Sequence, residues 1–165
     1  MLKEKIIQDV KNALKAGDVV KRSTLVMLIS AIKNRELEKR SLIAKSDAES
    51  HDLEKESELT DEEVVKAVAS EVKKRKESIE TYEKGGRPEL AEKERQELGV
   101  LSAYMPEQLS DDDVLSLVKS VISDLGAQDI RAMGKVTGQV MAKAHGKTDG
   151  QTVSRIVKEE LLKNV

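Results

Sequence analysis

The sequence has no cysteine, tryptophan or phenylalanine, and its only aromatic side chains are Tyr82 and Tyr104. Without cysteine the chain can form no disulfide bond, no thiolate metal site and no cysteine nucleophile. Its core must be built from Leu, Ile, Val, Met and Ala, and it has no platform on which the bases of a single-stranded nucleic acid could stack. Any RNA that it binds is therefore expected to be duplex or folded.

Long hydrophobic runs and a dominant charge are also missing. No apolar segment approaches the roughly 20 residues that span a bilayer, and none has the pattern of a signal peptide. The 29 basic and 31 acidic residues nearly cancel, so the chain as a whole is not expected to attract a polyanion. We therefore predict a cytoplasmic protein without membrane contact, in which function depends on local groups of charges.

The chain contains only two prolines, and the second of them marks its main division. Pro106 has no amide hydrogen and disfavours the α conformation of Met105, so a helix is expected to end there. Ser110, three residues before Asp113, fits the N-cap of a new helix. The adjacent aspartates 111–113 suit the positive end of that helix dipole, whereas binding of one metal ion would require side chains that point the same way. The sequence predicts a hinge at Pro106 and no metal site.

Residues 1–105 are predicted to form an N-terminal helical subdomain. Apolar residues recur at helical spacing up to Gly17, which is placed to end the first helix, and again from about Val20 to Arg40. The second helix carries an apolar stripe that includes Ile32 and Leu37. The mixed charges at its C-terminal end are interpreted as a solvated face.

A long helical hairpin is predicted to complete this subdomain. Residues 44–58 lose the helical periodicity and hold six acids, so they are predicted to be a mobile acidic loop. Thr60 with Glu63 matches a capping box at the start of a long helix. That helix is expected to end at Gly85-Gly86, and Pro88 suits the first turn of the antiparallel helix that follows.

The basic run Lys73-Lys74-Arg75-Lys76 lies inside the long helix and has two interpretations. Glu71, Glu77 and Glu80 each lie four residues from one of these cations, which favours ion pairs within the helix. The alternative is a contact with the phosphates of a nucleic acid. The first interpretation explains most of the run.

Residues 106–165 are predicted to form a C-terminal bundle of three short helices. The first is stopped by Gly126, the second runs from about 129 to 144, and the third from about 149 to 163. The expected fold is therefore all-α. It combines an N-terminal bundle of about four helices, including the long hairpin, with a C-terminal three-helix bundle joined through the Pro106 hinge.

The second helix of the predicted C-terminal bundle is expected to turn an apolar face with Val136 and Val140 towards the core. Two stripes with a period of four residues run along its remaining surface. One consists of small residues and the other, one position further on, is mostly lysine. Glycine in a helix costs roughly 0.5–1 kcal/mol relative to alanine, so internal glycines indicate a close approach of another surface, which is either a neighbouring helix or a phosphate backbone. The stripes are Gly134, Gly138, Ala142 and Gly146, and Lys135, Gln139, Lys143 and Lys147.

Local charge favours the phosphate backbone. Between residues 131 and 158 the chain has six basic residues and one acid, Asp149. Such a group can bind a polyanion by releasing counterions even when the whole chain is slightly acidic, and the binding is then salt-sensitive. The candidate RNA-binding residues are Arg131, Lys135, Lys143, Lys147, Arg155 and Lys158.

The residues give no support for an enzyme with its own active site. Gly146-Lys147-Thr148 resembles the end of a phosphate-binding P-loop, but that motif needs a glycine where the chain has Met141 and a strand before it. His145 is better explained as a charge partner of a helix C-terminus than as a base. We find no carboxylate pair, nucleophile with its base, or metal spacing, and we predict no cofactor, nucleotide, metal or catalytic residue.

Several short motifs carry a family resemblance. Together they resemble YqeY-like proteins of the GatB/YqeY family over nearly the whole chain, with 44–58 as an apparent insertion. The motifs are Ala31-Ile32-Lys33-Asn34, Glu77-Ser78-Ile79-Glu80-Thr81-Tyr82, Met105-Pro106-Glu107-Gln108-Leu109-Ser110, Met133-Gly134-Lys135-Val136 and Gly146-Lys147-Thr148-Asp149-Gly150.

Such proteins are similar to the C-terminal helical and tail region of the B subunit of the tRNA-dependent amidotransferase, which converts mischarged Glu-tRNA(Gln) or Asp-tRNA(Asn) to the correct amide. The resemblance implies an all-helical fold of two subdomains, a tRNA-holding role in translation, and an association with carbon–nitrogen ligase activity that uses glutamine as amido-nitrogen donor. The kinase-like catalytic portion of the B subunit and the Ser-Ser-Lys arrangement of the amidase have no counterpart in this chain.

Three hypotheses follow. The first is a non-catalytic accessory module that binds folded tRNA through its C-terminal bundle, with Gly134, Gly138 and Gly146 permitting close approach. The second is a protein-interaction adaptor that uses the glycine flank or the hairpin of residues 60–105. The third is a component of an amidotransferase or carbon–nitrogen ligase, for which the chain alone is not expected to be active.

Overall fold

The computed structural model describes residues 1–46, 52–127 and 129–163, which form eight α-helices, one short 3₁₀-helix and no strand. The all-α prediction is confirmed. In the described residues no helix combines the length and apolar character of a membrane span. The helices, numbered in chain order, are α1 Leu2–Ala16, α2 Val19–Ser46, α3 Leu53–Glu56, α4 Asp61–Lys84, α5 Pro88–Ser102, α6 Asp111–Leu125, the 3₁₀-helix Ile130–Ala132, α7 Met133–Ala144 and α8 Gly150–Lys163.

Local signals define most of the helix ends as predicted. Gly17 and Gly126 end α1 and α6 in the left-handed conformation, at φ of 70° and 59°. The Thr60 hydroxyl accepts the backbone N–H of Glu63 at 3.3 Å, and the Glu63 carboxylate accepts the N–H of Thr60 at 2.8 Å. Ser110 begins α6 with the same reciprocal arrangement.

The helix α2 extends further than predicted. It continues past Arg40 to Ser46, and its last turns bind groups that arrive from the following segment. Lys39 Nζ lies 2.9 Å from a carboxylate oxygen of Glu63, and Arg40 Nε donates to Ser57 Oγ at 3.3 Å. These tertiary contacts hold α2 at Lys39 and Arg40, where the predicted helix ended, and the helix continues beyond them to Ser46.

The predicted acidic loop is therefore wrong in part. α2 occupies its first residues, 44–46, and α3 occupies Leu53–Glu56, while residues 47–51 lie outside the described residues. The Asp52 side chain caps α3 by accepting the N–H of Lys55 at 3.2 Å. An acid in this segment thus serves as a helix cap, which composition alone does not reveal.

The helix α5 is shorter than predicted. It ends at Ser102 rather than at Met105. The N–H groups of Tyr104 and Met105 donate to the carbonyls of Leu101 and Ser102, three residues back, at 3.0 and 3.1 Å. This turn is tighter than an α-helix, and it precedes the restriction that Pro106 imposes.

The chain divides into two compact units, Met1–Met105 (unit 1) and Pro106–Val165 (unit 2). Each has a separate apolar core. The core of unit 1 consists of Ile6, Leu25, Leu28, Ile32, Val64, Ala67, Val68, Leu101 and Tyr104. That of unit 2 consists of Val114, Val118, Val121, Val136, Val140, Val153, Ile156, Val157 and Leu161.

The helices α4 and α5 form the predicted antiparallel hairpin, and Arg75 ties them together. Its guanidinium lies 3.2 Å from carboxylate oxygens of both Glu94 and Glu97 on α5. The predicted pairing of Arg75 with Glu71 is wrong, because Glu71 binds Lys74 at 2.7 Å. Arg75 instead forms the interhelical contact.

A pH dependence is expected from the contact between α2 and α4. The hydrogen bond from Lys39, followed by that from the Thr60 backbone, lowers the pKa of Glu63 below its ordinary value of 4.5. The ionised form is therefore favoured in the folded state, so its stabilisation is present above pH 4.5 and is lost as the pH falls through the folded-state pKa. We expect the stability difference between wild type and Lys39→Met to shrink from about pH 7 to about pH 3 in urea titrations. A difference that grows on acidification would contradict this.

Candidate nucleic-acid interface

The candidate residues lie on the surface of unit 2, on and around α7. The predicted single helix from Asp129 is divided: the Asp129 carboxylate accepts the N–H of Arg131 at 2.8 Å and caps the 3₁₀-helix, which leads into α7. Val136 and Val140 are fully buried, which confirms the predicted apolar face of α7. The opposite side of the helix is thereby left on the surface.

The two glycines inside α7 are exposed. A methyl group built at Gly134 or at Gly138 would have no atom of the described residues within 4 Å, apart from the local helix backbone. Close helix packing inside the bundle therefore does not account for them. What remains is a bare helix surface that a second molecule can approach.

The small-residue and lysine stripes do not continue along one helix to their last members. α7 ends at Ala144, and His145 and Gly146 follow in the left-handed conformation, at φ of 48° and 80°. The positive φ explains the glycine at position 146. Lys147 therefore lies in the turn after α7 and not on the helix. The four-residue period of the stripe gave no sign of the helix end that interrupts it.

This turn is held by the segment that follows Pro106. The N–H of Leu109 donates to the carbonyl of Lys147 at 2.7 Å. The side-chain amide of Gln108 donates to the carbonyl of Gly146 at 3.2 Å. No local sequence pattern indicates this contact, because it joins segments 38 residues apart.

Two of the six candidate cations are neutralised by acids of α6. Lys143 lies 2.9 Å from Asp124, and Arg155 lies 2.6 Å from Asp111 and 3.6 Å from Glu159. The hydrogen bond and charge of Asp111 raise the pKa of Arg155 above its ordinary value. The count of one acid against six bases missed Asp111 and Asp124 because they precede residue 131, and Glu159 because it follows residue 158.

The other four cations are exposed and have no ion-pair partner in the part of the chain that the structure describes. Lys135 lies on α7 between the two bare glycines, and Lys147 lies in the turn that follows. Such side chains can bind phosphate without first losing a carboxylate. The four are Arg131, Lys135, Lys147 and Lys158.

The segment from Gly146 to Thr148 does not have the structure of a P-loop. It follows α7 rather than a strand, and Thr148 is buried, with 8% of its surface exposed. Asp149 accepts the N–H groups of Gln151 and Thr152 at 3.0 and 2.9 Å and thus caps α8. These residues therefore lead into and cap the N-terminus of α8.

Two curated relatives match this chain in part. One is "Altered inheritance of mitochondria protein 41, mitochondrial" of Pyrenophora tritici-repentis, which is 31% identical over 103 residues, or 61% of this chain and 56% of the relative. The protein of the same name from Eremothecium gossypii is 33% identical over 98 residues, or 59% of this chain and 45% of the relative. The chain thus spans about half the length of the relatives it matches.

These names contradict the predicted cytoplasmic location, because both relatives are named as mitochondrial proteins. The prediction rested on composition and hydropathy. Those properties report that a surface faces water, and they do not distinguish one aqueous compartment from another. The predicted cytoplasmic location is therefore wrong.

The family comparison covers nearly the whole chain. The family model described as "Yqey-like protein" matches residues 3–161, which covers most of both units and includes the segment of residues 44–58. The match therefore extends over the bare face of α7 and over the turn that Gln108 and Leu109 hold. The chain belongs to the family of Yqey-like proteins.

Proposed function

We propose that unit 2 is a non-catalytic module that binds folded tRNA through its phosphates. The observation that carries this proposal is the surface of α7, where Lys135 is exposed between two glycines that nothing in the described residues contacts. A phosphate backbone can approach such a surface closely and meet an ammonium group there. Exposed glycines without a packing role are otherwise a cost to the helix.

The chemistry favours a folded nucleic acid over a single strand. Residues 106–165 contain no phenylalanine, tryptophan or tyrosine on which unpaired bases could stack, so contacts to phosphate and ribose would have to supply the affinity. Recognition of this kind depends on RNA shape, as in a tRNA. The resemblance to the tail of the amidotransferase B subunit supports the same substrate and an accessory role in tRNA-dependent amidation.

The paired cations have a defined part in this proposal. Lys143 and Arg155 are bound to carboxylates at 2.9 and 2.6 Å, and each would exchange its carboxylate for a phosphate when RNA binds. Because an ion pair within the protein must first be broken, each of these phosphate contacts adds less binding free energy. Lys135 and Lys147 are therefore expected to contribute more affinity per residue than Lys143 and Arg155.

The experiment is fluorescence anisotropy of labelled, folded tRNA titrated with the full chain. If three phosphates are neutralised, affinity should fall roughly forty-fold between about 50 and about 200 mM salt, from a slope of about 0.9 per phosphate. The variant K135E/K143E/K147E should bind at least about tenfold more weakly at the lower salt and with a flatter salt dependence.

A matched control reverses three exposed lysines of unit 1. K73E/K74E/K76E changes the net charge by the same amount, and it also tests the alternative in which the basic run of α4 contacts phosphate. The control should retain affinity within about twofold of wild type. Equal losses of tRNA affinity in both variants would show that net charge, and not the surface of α7, causes the effect. Absence of tRNA binding by wild type at low salt would refute the proposal.

The glycines supply a separate prediction. Because a methyl group fits at both positions without contact, G134A/G138A should stabilise unit 2 by about 1–2 kcal/mol in urea unfolding. The same methyl groups should obstruct the approach of RNA and weaken tRNA binding. A variant that is more stable and binds tRNA as wild type does would show that the glycines have no part in the interface.

A further inference from the structure

Unit 1 exposes a set of large apolar side chains along α2. Val19, Val26 and Leu37 have 72%, 45% and 58% of their surfaces exposed. Sequence periodicity assigned Leu37 to the buried stripe and interpreted the surface near it as solvated charge. The structure contradicts that assignment, and α2 exposes five large apolar side chains in all: Val19, Val26, Met27, Leu37 and Leu42.

These three residues lie on one line. At about 100° per residue they fall within roughly 20° of one another, and at about 1.5 Å per residue the line is roughly 27 Å long. Leu28 and Ile32, which are buried in the core of unit 1, lie on the opposite side of the helix. We name Val19, Val26 and Leu37 the outer stripe of α2.

The two edges of the outer stripe differ in chemistry. Arg22 and Lys33 lie roughly 40–60° to one side, and both are exposed without an ion-pair partner among the described residues. Ser23 and Asn34 lie on the other side and are exposed. The stripe is therefore a narrow line of three apolar side chains, interrupted by the exposed Ser30, with a basic edge and a small polar edge.

The wider charge distribution reinforces the basic edge. Residues 1–46 contain eleven basic and five acidic residues, whereas residues 52–105 contain ten basic and fifteen acidic residues. Of the acids on α2, Glu36 is bound to Lys3 at 2.6 Å. The segment that carries the outer stripe is thus basic although the chain as a whole is slightly acidic.

We propose that the outer stripe of α2 binds an amphipathic helix of a partner protein whose apolar face is edged by Asp or Glu. A line of this length and width matches the contact of one helix, whose apolar face is also a narrow stripe. Acidic residues beside that face would pair with Arg22 and Lys33. Phosphates would leave the apolar side chains uncovered, and a membrane surface favours a broad apolar face with basic residues along its polar side.

The proposal is tested with a synthetic probe and the full chain. The probe is a labelled helical peptide of about 21 residues with leucine at the a and d heptad positions and glutamate at e and g; its counterpart carries lysine at e and g. Anisotropy should show binding of the glutamate peptide at least about tenfold tighter than that of the lysine peptide. R22E/K33E should reverse this preference.

Two serine variants separate the outer stripe from general surface hydrophobicity. V26S/L37S removes two members of the stripe, while M27S/L42S removes two other exposed apolar side chains of α2 that lie off the stripe. The first should weaken binding of the glutamate peptide at least about tenfold and the second less than about twofold. Equal effects of the two variants would overturn the proposal, provided that thermal unfolding shows both to be folded.

The alternatives are outcomes of the same experiment. No binding of the glutamate peptide, together with sedimentation on phosphatidylglycerol vesicles that V26S/L37S abolishes, would assign the stripe to a membrane and overturn the proposal. K135E/K143E/K147E should leave peptide binding unchanged. Failure of tRNA binding and failure of peptide binding are therefore distinguished by separate variants.

Discussion

Replacing Arg75 with methionine is expected to lower the free energy of unfolding by about 3–5 kcal/mol, the largest effect that we predict for a single substitution. The guanidinium lies between α4 and α5, with 17% of its side chain exposed, and binds Glu94 and Glu97, of which 13% and 6% are exposed. Methionine would leave two nearly buried carboxylates without a counter-ion. The penalty comes from that unpaired charge more than from the lost attraction.

The measurement is urea unfolding of wild type, R75M and two comparison variants. R75M/E94Q/E97Q removes both stranded charges and should recover part of the loss. R95M removes an arginine of the same hairpin that is 45% exposed and paired with Glu83 and Glu92, so it should cost no more than about 1 kcal/mol. A loss in R75M no greater than that in R95M would show that the bridge between α4 and α5 contributes little.

Replacing Ile32 with alanine is expected to cost about 2–5 kcal/mol, whereas the same change at Leu37 should remain within about 0.5 kcal/mol of wild type. Ile32 is fully buried among the core residues of unit 1, and Leu37, five positions further along α2, is 58% exposed. Truncation at Ile32 leaves a cavity. Truncation at Leu37 removes a side chain that already faces solvent.

Urea unfolding of I32A and L37A measures this contrast directly. Both substitutions place alanine at an interior position of α2, so helix propensity changes in the same direction and largely cancels from the comparison. A cost at Leu37 comparable with that at Ile32 would mean that another surface covers Leu37 in solution. The concentration dependence of unfolding would then identify self-association as the cause.

The candidate interface was predictable only in part. Helical spacing and glycine identity predicted that α7 has an apolar face and a bare face, and both are present in the structure. The electrostatic state of the surface was not predictable, because Asp124 and Asp111 reach Lys143 and Arg155 from α6. A count of charges in one sequence window cannot include partners that folding brings in from another helix.

The amino-acid sequence by itself determined where helices begin and end when the cause is local. Gly17 ends α1 because glycine adopts a positive φ without strain. Ser110 begins α6 because its hydroxyl accepts the backbone N–H three residues further on. Both effects act only on neighbouring backbone atoms. The all-α class follows from the same short-range physics. Such features can be read along the chain because every atom involved lies within one turn.

Only the tertiary structure decided which side of each helix is covered and which charges are paired. An apolar spacing of 3.6 residues shows that a face can be buried, and α2 has such residues on two faces, of which one packs into the core and the other carries Leu37 on the surface. Arg75 had Glu71 within reach on its own helix, yet it binds α5. Burial and ion pairing depend on distances between helices, which are fixed when the helices pack and are not written in the spacing along any one of them.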